Sequence, residues 1–298
     1  MSSNKMPRPD EAMKKFLMDD GVYAAVFNGY FFKGKSVIDP KKLEKADTAY
    51  AEAVTTNLKI EKINKYRDNV RRTSLGYLVI LAIEDQDKIH YSMPIRKMLY
   101  DVLSYSTEIS ELGKTQDNRK WTVEEKLSKV SKGTKITPIM TVVLYTGEDE
   151  WDGPRSLHDM MDLDEEIRPY VPDYPLYIID LGHDEKLSFP NSSLEELRVA
   201  LSAIYSETAD GNETVIDGSI LALAGILSGD SKLYEAANGE GRKKMCKVLE
   251  KRDERIYMQF KDQLEEKDAV ISEKDAVISE KDAEIERLKA CIKELQNK

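Results

Sequence analysis

The stretch LVILAIEDQDKIHYSMPIRKMLYDVL, residues 78–103, decides the fold. It opens with an apolar run typical of a strand that is covered on both faces of a sheet, and Pro94 then suits the first turn of a helix. We expect a central strand followed by a helix that packs back on the sheet, with Arg96, Lys97 and Asp101 on its outer face. The apolar positions that predict the packed face of this helix are Ile95, Met98, Leu99, Val102 and Leu103.

The neighbouring segments extend this alternation of strand and helix. KINKYRDNVRRTSLGYLVILAIE predicts two strands around a turn at residues 74–76, and KITPIMTVVLYTG and YPLYIIDL predict two further buried strands. A helix with a break at Gly21 is predicted by DEAMKKFLMDDGVYAAVFNGYFF. A charged loop is expected over residues 107–133. Ser192 or Ser193 opens a further helix that ends near Tyr205. The fold class is therefore α/β.

The C-terminal part of the chain has a different pattern. From Arg242 onward it contains no Gly or Pro, and isoleucine recurs every seven residues. We predict a disordered N-terminus over 1–10, a globular domain over 11–206, a helix and loop connection over 207–241, and a long helix over 242–298 that self-associates as a coiled coil. The predicted seam consists of Ile271, Ile278, Ile285, Leu288, Ile292 and Leu295.

Charge is distributed unevenly along the 298 residues. The net charge of −10 argues against nonspecific nucleic-acid binding by the chain as a whole, and residues 145–185 carry a net charge of −11. Residues 57–100 are locally basic, with a net charge of +4, and could contact phosphates. The two cysteines and three histidines form no zinc or redox spacing, and no segment predicts a signal peptide or a membrane span. We expect a cytoplasmic protein without an organic cofactor.

Four polar residues, Glu84 to Asp87, follow directly on the apolar strand. Side chains two apart on a strand share a face, so Glu84 and Gln86 point together and Asp85 points to the other side. A hairpin centred on Gly76 would pair Asp68 with Glu84. Two adjacent carboxylates raise each other's pKa unless a divalent cation lies between them, and carboxylate oxygens favour Mg²⁺. Without further context, Asp68 and Glu84 would be read as solvated residues at strand ends.

A family resemblance changes that interpretation. YRDNV, YLVILAIEDQDKIHYSMPIRKMLYD, ITPIMTVVLYTGEDEWDGPRSLHDMMD and YIIDL, in this order, resemble the Rpn family of recombination-promoting nucleases, also described as transposases. These belong to the PD-(D/E)XK nuclease superfamily, whose core is a central mixed sheet flanked by helices. The resemblance covers residues 10–205, and the seven-residue repeats lie outside it.

The resemblance implies a bacterial, Mg²⁺-dependent DNA endonuclease that leaves a 5′-phosphate and a 3′-hydroxyl, with Mn²⁺ or Ca²⁺ as alternative ions. It assigns catalysis to Asp68, Glu84 and Gln86, and metal binding to Asp68, Glu84 and the Asp85 carbonyl. Gln86 stands where the superfamily has lysine, so it supplies no positive charge. The expected DNA contacts are Lys65, Arg67, Arg71, Arg72, Lys88, Arg96 and Lys97.

Two alternatives remain open at this stage. An inert adaptor that binds DNA or protein and oligomerises through its C-terminal helix would also fit the missing lysine and the acidic segment. In WDGPRSLHDM, His158 and Asp159 could be catalytic, but a turn into a capped helix is the simpler interpretation. We expect the three histidines to serve surface or packing roles only.

Overall fold

The computed structural model describes residues 6–46, 69–75, 78–115, 120–206, 214–237 and 241–296. The chain divides into two compact units, residues 1–246 and residues 247–298. The first unit contains a five-stranded mixed sheet with flanking helices, which confirms the α/β class. No helix in these described ranges is long and apolar enough to cross a membrane.

The sheet is built in chain order. Its strands are β1 (Glu44–Lys45), β2 (Val70–Ser74), β3 (Leu78–Gln86), β4 (Ile139–Tyr145) and β5 (Ile178–Asp180). The first three strands pair antiparallel, whereas β3, β4 and β5 run parallel. As predicted, β3 is the central strand, and the parallel strands place their carboxyl ends at one edge of the sheet.

The hairpin register agrees with the sequence prediction. Val70 pairs with Ala82 and Ser74 pairs with Leu78, so the turn centres on residue 76. Beyond the last ladder pair, the Ile83 N–H donates to the Asn69 carbonyl at 3.1 Å. The same register predicts the pairing of Asp68 with Glu84, but Asp68 lies outside the described residues.

The first two helices, α1 (Pro9–Phe16) and α2 (Asp20–Phe32), correct two predictions. The helix break does not fall at Gly21, which lies in the first turn of α2. It falls just before Asp19, whose carboxylate accepts the N–H groups of Gly21 and Val22 at 2.7 and 3.1 Å and thereby caps the helix. The start of α1 at Pro9 also places helix within the segment 1–10 that was expected to be disordered.

The long helix α3 (Met93–Thr115) starts as predicted but buries a different face. Ile95 and Val102 are 45% and 54% exposed, whereas Lys97 and Asp101 are 6% and 3% exposed. The prediction that Lys97 and Asp101 lie on the outer face is therefore wrong. The helix also continues through the first part of the predicted loop over 107–133, which contains a second helix, α4 (Val123–Ser128), capped by Thr122.

Beyond α5 (Ser193–Tyr205), which Ser192 caps as predicted, the chain adds more structure than the expected connection over 207–241. The described part forms β6 (Val215–Asp217), α6 (Gly218–Leu227), α7 (Ser231–Ala237) and β7 (Arg242–Lys244), with β6 and β7 paired antiparallel. Helix α6 is largely buried and contacts α1 and α5. Its Gly225 approaches α7 so closely that a Cβ atom would lie 2.7 Å from the Tyr234 nitrogen.

The last helix, α8 (Met245–Gln296), is 52 residues long, and the second unit consists of its residues from 247 onward. It begins three residues after the predicted start because Arg242 to Lys244 form β7. Five of the six predicted seam residues are about half exposed. The side chain of the sixth, Leu295, is not among those that the structure describes. The five are Ile271, Ile278, Ile285, Leu288 and Ile292. The coiled coil therefore stays a prediction.

Candidate active site at the end of the central strand

The two faces of β3 meet different helices. Glu84 is 2% exposed, and its Oε2 lies 3.9 Å from the Nη2 atom of Arg96 in α3. On the opposite side, the carboxylate of Asp10 in α1 acts on the carboxyl group of Asp85. Alternation along the strand therefore separates Glu84 from Asp85, as the sequence predicts.

The environment of Glu84 combines burial with a nearby cation. Its side chain is 1% exposed, whereas the side chain of Arg96 is 22% exposed. The Arg96 Nε also donates to the Tyr100 hydroxyl at 3.0 Å, and the guanidinium carbon lies 5.6 Å from the centre of the Tyr100 ring. A buried carboxylate is costly unless positive charge meets it, and the Arg96 guanidinium supplies some of that charge.

Gln86 is positioned mainly by backbone contacts. Its Nε2 donates to the Asp85 carbonyl at 2.6 Å, and its own carbonyl accepts the Thr146 N–H at 3.0 Å. The Asp85 carbonyl was predicted to bind metal. The contact with Gln86 uses one of the two lone pairs of that carbonyl oxygen. The side-chain amide of Gln86 therefore lies next to the carbonyl oxygen that was predicted to bind metal.

Asp85 has an unusual ionisation. Burial, followed by the carboxylates of Asp10 and Asp87, raises the pKa of its carboxyl group to about 8. The neutral acid is therefore favoured near neutral pH. The side chain of Asp85 is consequently a poor ligand for a cation. Its main-chain carbonyl oxygen is an uncharged donor and does not depend on this ionisation.

The described residues do not complete a metal site by themselves. They contain no group of three or more His, Cys, Asp or Glu side chains suited to holding a metal ion. Glu84 and the Asp85 carbonyl offer oxygen donors of the kind that Mg²⁺ prefers. The third predicted ligand, Asp68, and the predicted DNA contacts Lys65 and Arg67 lie outside the described residues.

The predicted DNA contacts that are described fall into two groups. Arg72 and Arg96 are partly exposed, and Lys88 is exposed. Arg71 is 3% exposed; its Nε lies 3.3 Å from Asp20 Oδ1, and its guanidinium carbon lies 4.9 Å from the centre of the Tyr23 ring. Lys97 is also buried. A buried cation cannot reach a phosphate without breaking its internal contacts, so Arg71 and Lys97 do not fit the predicted role.

Lys97 belongs to a polar network between α3 and β4. Its Nζ lies 3.2 Å from Asp101 Oδ2 and 4.2 Å from the centre of the Tyr174 ring. Thr141 donates to Asp101 Oδ1 at 2.9 Å, and the Tyr174 hydroxyl donates to Asp101 Oδ2. A buried ion pair is stable when other hydrogen bonds satisfy its remaining atoms, as they do here. The spacing of apolar residues in α3 could not reveal this network.

The carboxyl edge of the sheet holds a second polar pair that the sequence analysis missed. Gln86 aligns with Tyr145, and Tyr145 aligns with Asp180. Asp180 is buried, accepts the Trp151 N–H at 2.9 Å and lies 2.8 Å from His183 Nδ1. His183 therefore has a specific carboxylate partner as well as a packing role. The sequence signal was the three-residue spacing of Asp180 and His183 after a buried strand.

The segment around His158 forms a three-residue 3-10 helix, His158–Met160, without a side-chain cap, so the predicted turn is present but the predicted helix cap is not. Asp159 accepts the N–H groups of Arg155 and Ser156, both at 2.8 Å. His158 Nε2 lies 2.7 Å from the Val171 carbonyl. These contacts to backbone atoms stabilise the conformation of the loop.

A comparison with protein families decides the wider relationship. The model of a family described as putative transposase, YhgA-like, matches residues 10–188 of this chain, which is more than half of its length. The chain belongs to this family. No curated protein and no solved structure matches the chain.

The YhgA-like match contains the whole five-stranded sheet and the helix α3 that lies on it. It therefore includes Glu84, Gln86, Arg96 and Asp180, together with Asp68. It ends before α5 and does not reach the C-terminal helix α8. The YhgA-like family relationship consequently concerns the sheet and its polar carboxyl edge.

Proposed function

We propose that the chain is a Mg²⁺-dependent DNA endonuclease of the PD-(D/E)XK type, acting in recombination or transposition in the bacterial cytoplasm. The observation that carries this proposal is the buried carboxylate of Glu84 at the end of the central strand, with the amide of Gln86 on the same face. A buried carboxylate needs positive charge nearby to be tolerated, and at 3.9 Å the Arg96 guanidinium supplies part of that charge. Membership of a transposase family supports DNA as the substrate.

The proposed chemistry assigns a role to each residue. A bound Mg²⁺ would polarise the phosphate and lower the pKa of a bound water. Asp68, Glu84 and the Asp85 carbonyl hold the ion, and Gln86 orients the attacking water through its amide, since an amide takes up no proton. The water gives up a proton to solvent and its oxygen bonds to phosphorus, the bond to the 3′ oxygen breaks, and the 3′ oxygen takes up a proton from solvent.

A plasmid assay tests the proposal. Purified full-length protein should convert supercoiled DNA to nicked and linear forms with Mg²⁺, and EDTA should stop the reaction. Mn²⁺ and Ca²⁺ are tested in parallel because both ions accept oxygen ligands. Folding is checked by circular dichroism in each buffer. Absence of cutting in all three ions, by a folded protein, would contradict endonuclease activity.

An adaptor is the second candidate function, and the glutamine at position 86 favours it. A site without the superfamily lysine has lost one source of positive charge for the transition state. The adaptor hypothesis predicts DNA binding that weakens steeply with salt and no cleavage in any divalent ion. A gel-shift series at increasing salt, run with the plasmid assay, separates the two functions.

Two substitutions of Gln86, by alanine and by lysine, are expected to affect the cleavage rate differently. Gln86→Ala removes one positioned donor and should slow cleavage about 10- to 100-fold. Gln86→Lys restores a cation and should speed cleavage or leave it unchanged. Single-turnover rates on one plasmid substrate measure both effects, and Gln263→Ala in the C-terminal helix is the control. An alanine variant as fast as the unmodified protein would remove Gln86 from the mechanism.

We further propose that the C-terminal helix assembles two copies so that two sites act on one duplex. A solitary helix has no physical reason to repeat an apolar residue at a strict seven-residue spacing. In the second unit, Ile278 and Ile285 are 56% and 47% exposed, which leaves this apolar stripe available to another helix. Tethered sites raise the effective concentration for the second strand cut.

Truncation after Asp262 is expected to lower the oligomeric state and to reduce the ratio of linear to nicked plasmid. Light scattering and the plasmid assay measure the two effects. Ile278→Asp with Ile285→Asp should act like the truncation because both charges enter the seam. Ala276→Asp with Ala283→Asp, which adds the same charge at exposed positions outside the seam, is the matched control. A full-length protein that is monomeric at micromolar concentration would contradict this proposal.

A further inference from the structure

The strand that carries Glu84 and Gln86 provides no cation on its catalytic face, but the helix lying on that face does. We infer that Arg96 is the cation of this site: it neutralises Glu84 before metal binds and contacts the scissile phosphate of DNA afterwards. The inference rests on the proposed endonuclease function and extends it by naming the source of the missing positive charge.

The geometry of Arg96 suits an exchange between two partners. Its Nη2 lies 3.9 Å from Glu84 Oε2, which is the outer limit of an ion pair and not a close bidentate contact. The guanidinium is anchored instead through Nε, which donates to the Tyr100 hydroxyl at 3.0 Å. The side chain of Arg96 is 22% exposed although that of Glu84 is 1% exposed. The Arg96 side chain is therefore partly exposed while its Nε is held by Tyr100.

Electrostatics gives the order of events. In the metal-free protein, the buried carboxylate of Glu84 needs positive charge, and Arg96 provides part of it. A divalent cation bound by Glu84 replaces that contribution and repels the guanidinium. A phosphate oxygen is then the natural partner for Arg96, because the planar guanidinium donates two parallel hydrogen bonds to phosphate. Metal and Arg96 thus compete for Glu84 without DNA and act together on the phosphate with DNA.

Within the described part of the chain, the other cations near Glu84 are less suitable. Lys97, the next residue in α3, is directed into the network with Asp101 and Tyr174 and is buried there. Lys88 lies two residues beyond the end of β3, on an exposed part of the chain. Arg96 combines proximity to Glu84, partial exposure and an anchoring hydrogen bond.

The test uses the full-length protein with Arg96→Met, Arg96→Lys and the control Arg168→Met. Arg168 is also an arginine with a carboxylate neighbour, Glu165 at 3.6 Å, but both side chains are exposed. Titration with Mn²⁺ without DNA, followed by electron paramagnetic resonance, reports metal affinity. Single-turnover cleavage of plasmid DNA reports the rate, and thermal melting reports folding.

For Arg96→Met we expect Mn²⁺ affinity to rise about fivefold or more, since a competing charge is removed. We expect its cleavage rate to fall about 10²- to 10³-fold, since a donor to the phosphate is lost. Arg96→Lys keeps the charge but not the planar guanidinium group, so its Mn²⁺ affinity should stay unchanged. Its cleavage rate should lie between that of the unmodified protein and that of Arg96→Met. If the methionine variant does not fold, Arg96→Gln takes its place, because it also removes the charge and has the same two expected results.

Each alternative result has a distinct meaning. Cleavage by the unmodified protein, with no change in Arg96→Met for either measurement, overturns the inference and leaves the endonuclease proposal intact. In Arg96→Met, tighter Mn²⁺ binding with unchanged cleavage overturns the phosphate contact, and slower cleavage with unchanged Mn²⁺ affinity overturns the competition at Glu84. An unmodified protein that neither binds Mn²⁺ nor cuts DNA overturns both proposals.

Discussion

Glu84→Gln is expected to reduce DNA cleavage by at least about 10²-fold, and this is the largest effect on activity that we predict. Glutamine keeps the size of the side chain and removes the charge that a divalent cation needs. The protein should remain folded, because a neutral amide is less costly to bury than a charged carboxylate. Single-turnover cleavage with Mg²⁺, beside thermal melting of the same preparation, measures the change.

Glu165→Gln is the matched control for this experiment. Its side chain is 90% exposed and pairs with Arg168 in a surface contact of 3.6 Å, so the same chemical change should leave cleavage unaltered. Mn²⁺ titration should show weaker binding for Glu84→Gln and unchanged binding for the control. Equal cleavage rates for Glu84→Gln and the unmodified protein would exclude Glu84 from the metal site.

Lys97→Met is expected to lower the free energy of unfolding by about 3–5 kcal/mol, the largest effect on stability that we predict. The substitution leaves the carboxylate of Asp101 buried without its cation, since Asp101 is 3% exposed and lies 3.2 Å from the Lys97 ammonium. Thr141 and Tyr174 would still donate to Asp101 but carry no charge. Urea unfolding followed by circular dichroism measures the loss.

Two further variants separate charge from packing. Lys97→Met with Asp101→Asn removes both charges and keeps an acceptor for Thr141, so it should recover part of the loss, with a coupling free energy of about 1–3 kcal/mol. Lys114→Met disrupts an exposed pair on the same helix, Lys114 with Glu111 at 2.8 Å, and should cost less than about 0.5 kcal/mol. Equal losses for Lys97→Met and Lys114→Met would show that burial does not strengthen the first pair.

The exposed Ile95 and Val102 show where a local pattern failed. Their helical spacing correctly predicted α3, but not which side faces the sheet. A buried lysine is unfavourable in isolation, so the sequence favoured the apolar side. The cost is offset by Asp101 on the same helix and by Thr141 and Tyr174, which come from segments 40 and 73 residues from Asp101.

The candidate site also combines features that a local sequence pattern predicts with features that only the tertiary structure reveals. The sequence predicted that Glu84 and Gln86 share one face of β3 because alternation on a strand is a local property, whereas their catalytic role is a prediction from the family resemblance. Arg96 was predicted only as a DNA contact, and its position beside Glu84 became visible once α3 was placed on the sheet. The pair of Asp180 and His183 was missed because its position level with Gln86 depends on the parallel pairing of three strands.

The sequence by itself determined the elements whose cause lies within a few residues. These include the centre of the hairpin that sets the β2 and β3 register, the helix start beside Pro94 and the cap at Ser192. Only the tertiary structure decided which charged side chains are buried and what meets them. Turn geometry and capping are short-range, whereas the free energy of a buried charge depends on partners that folding brings from distant parts of the chain.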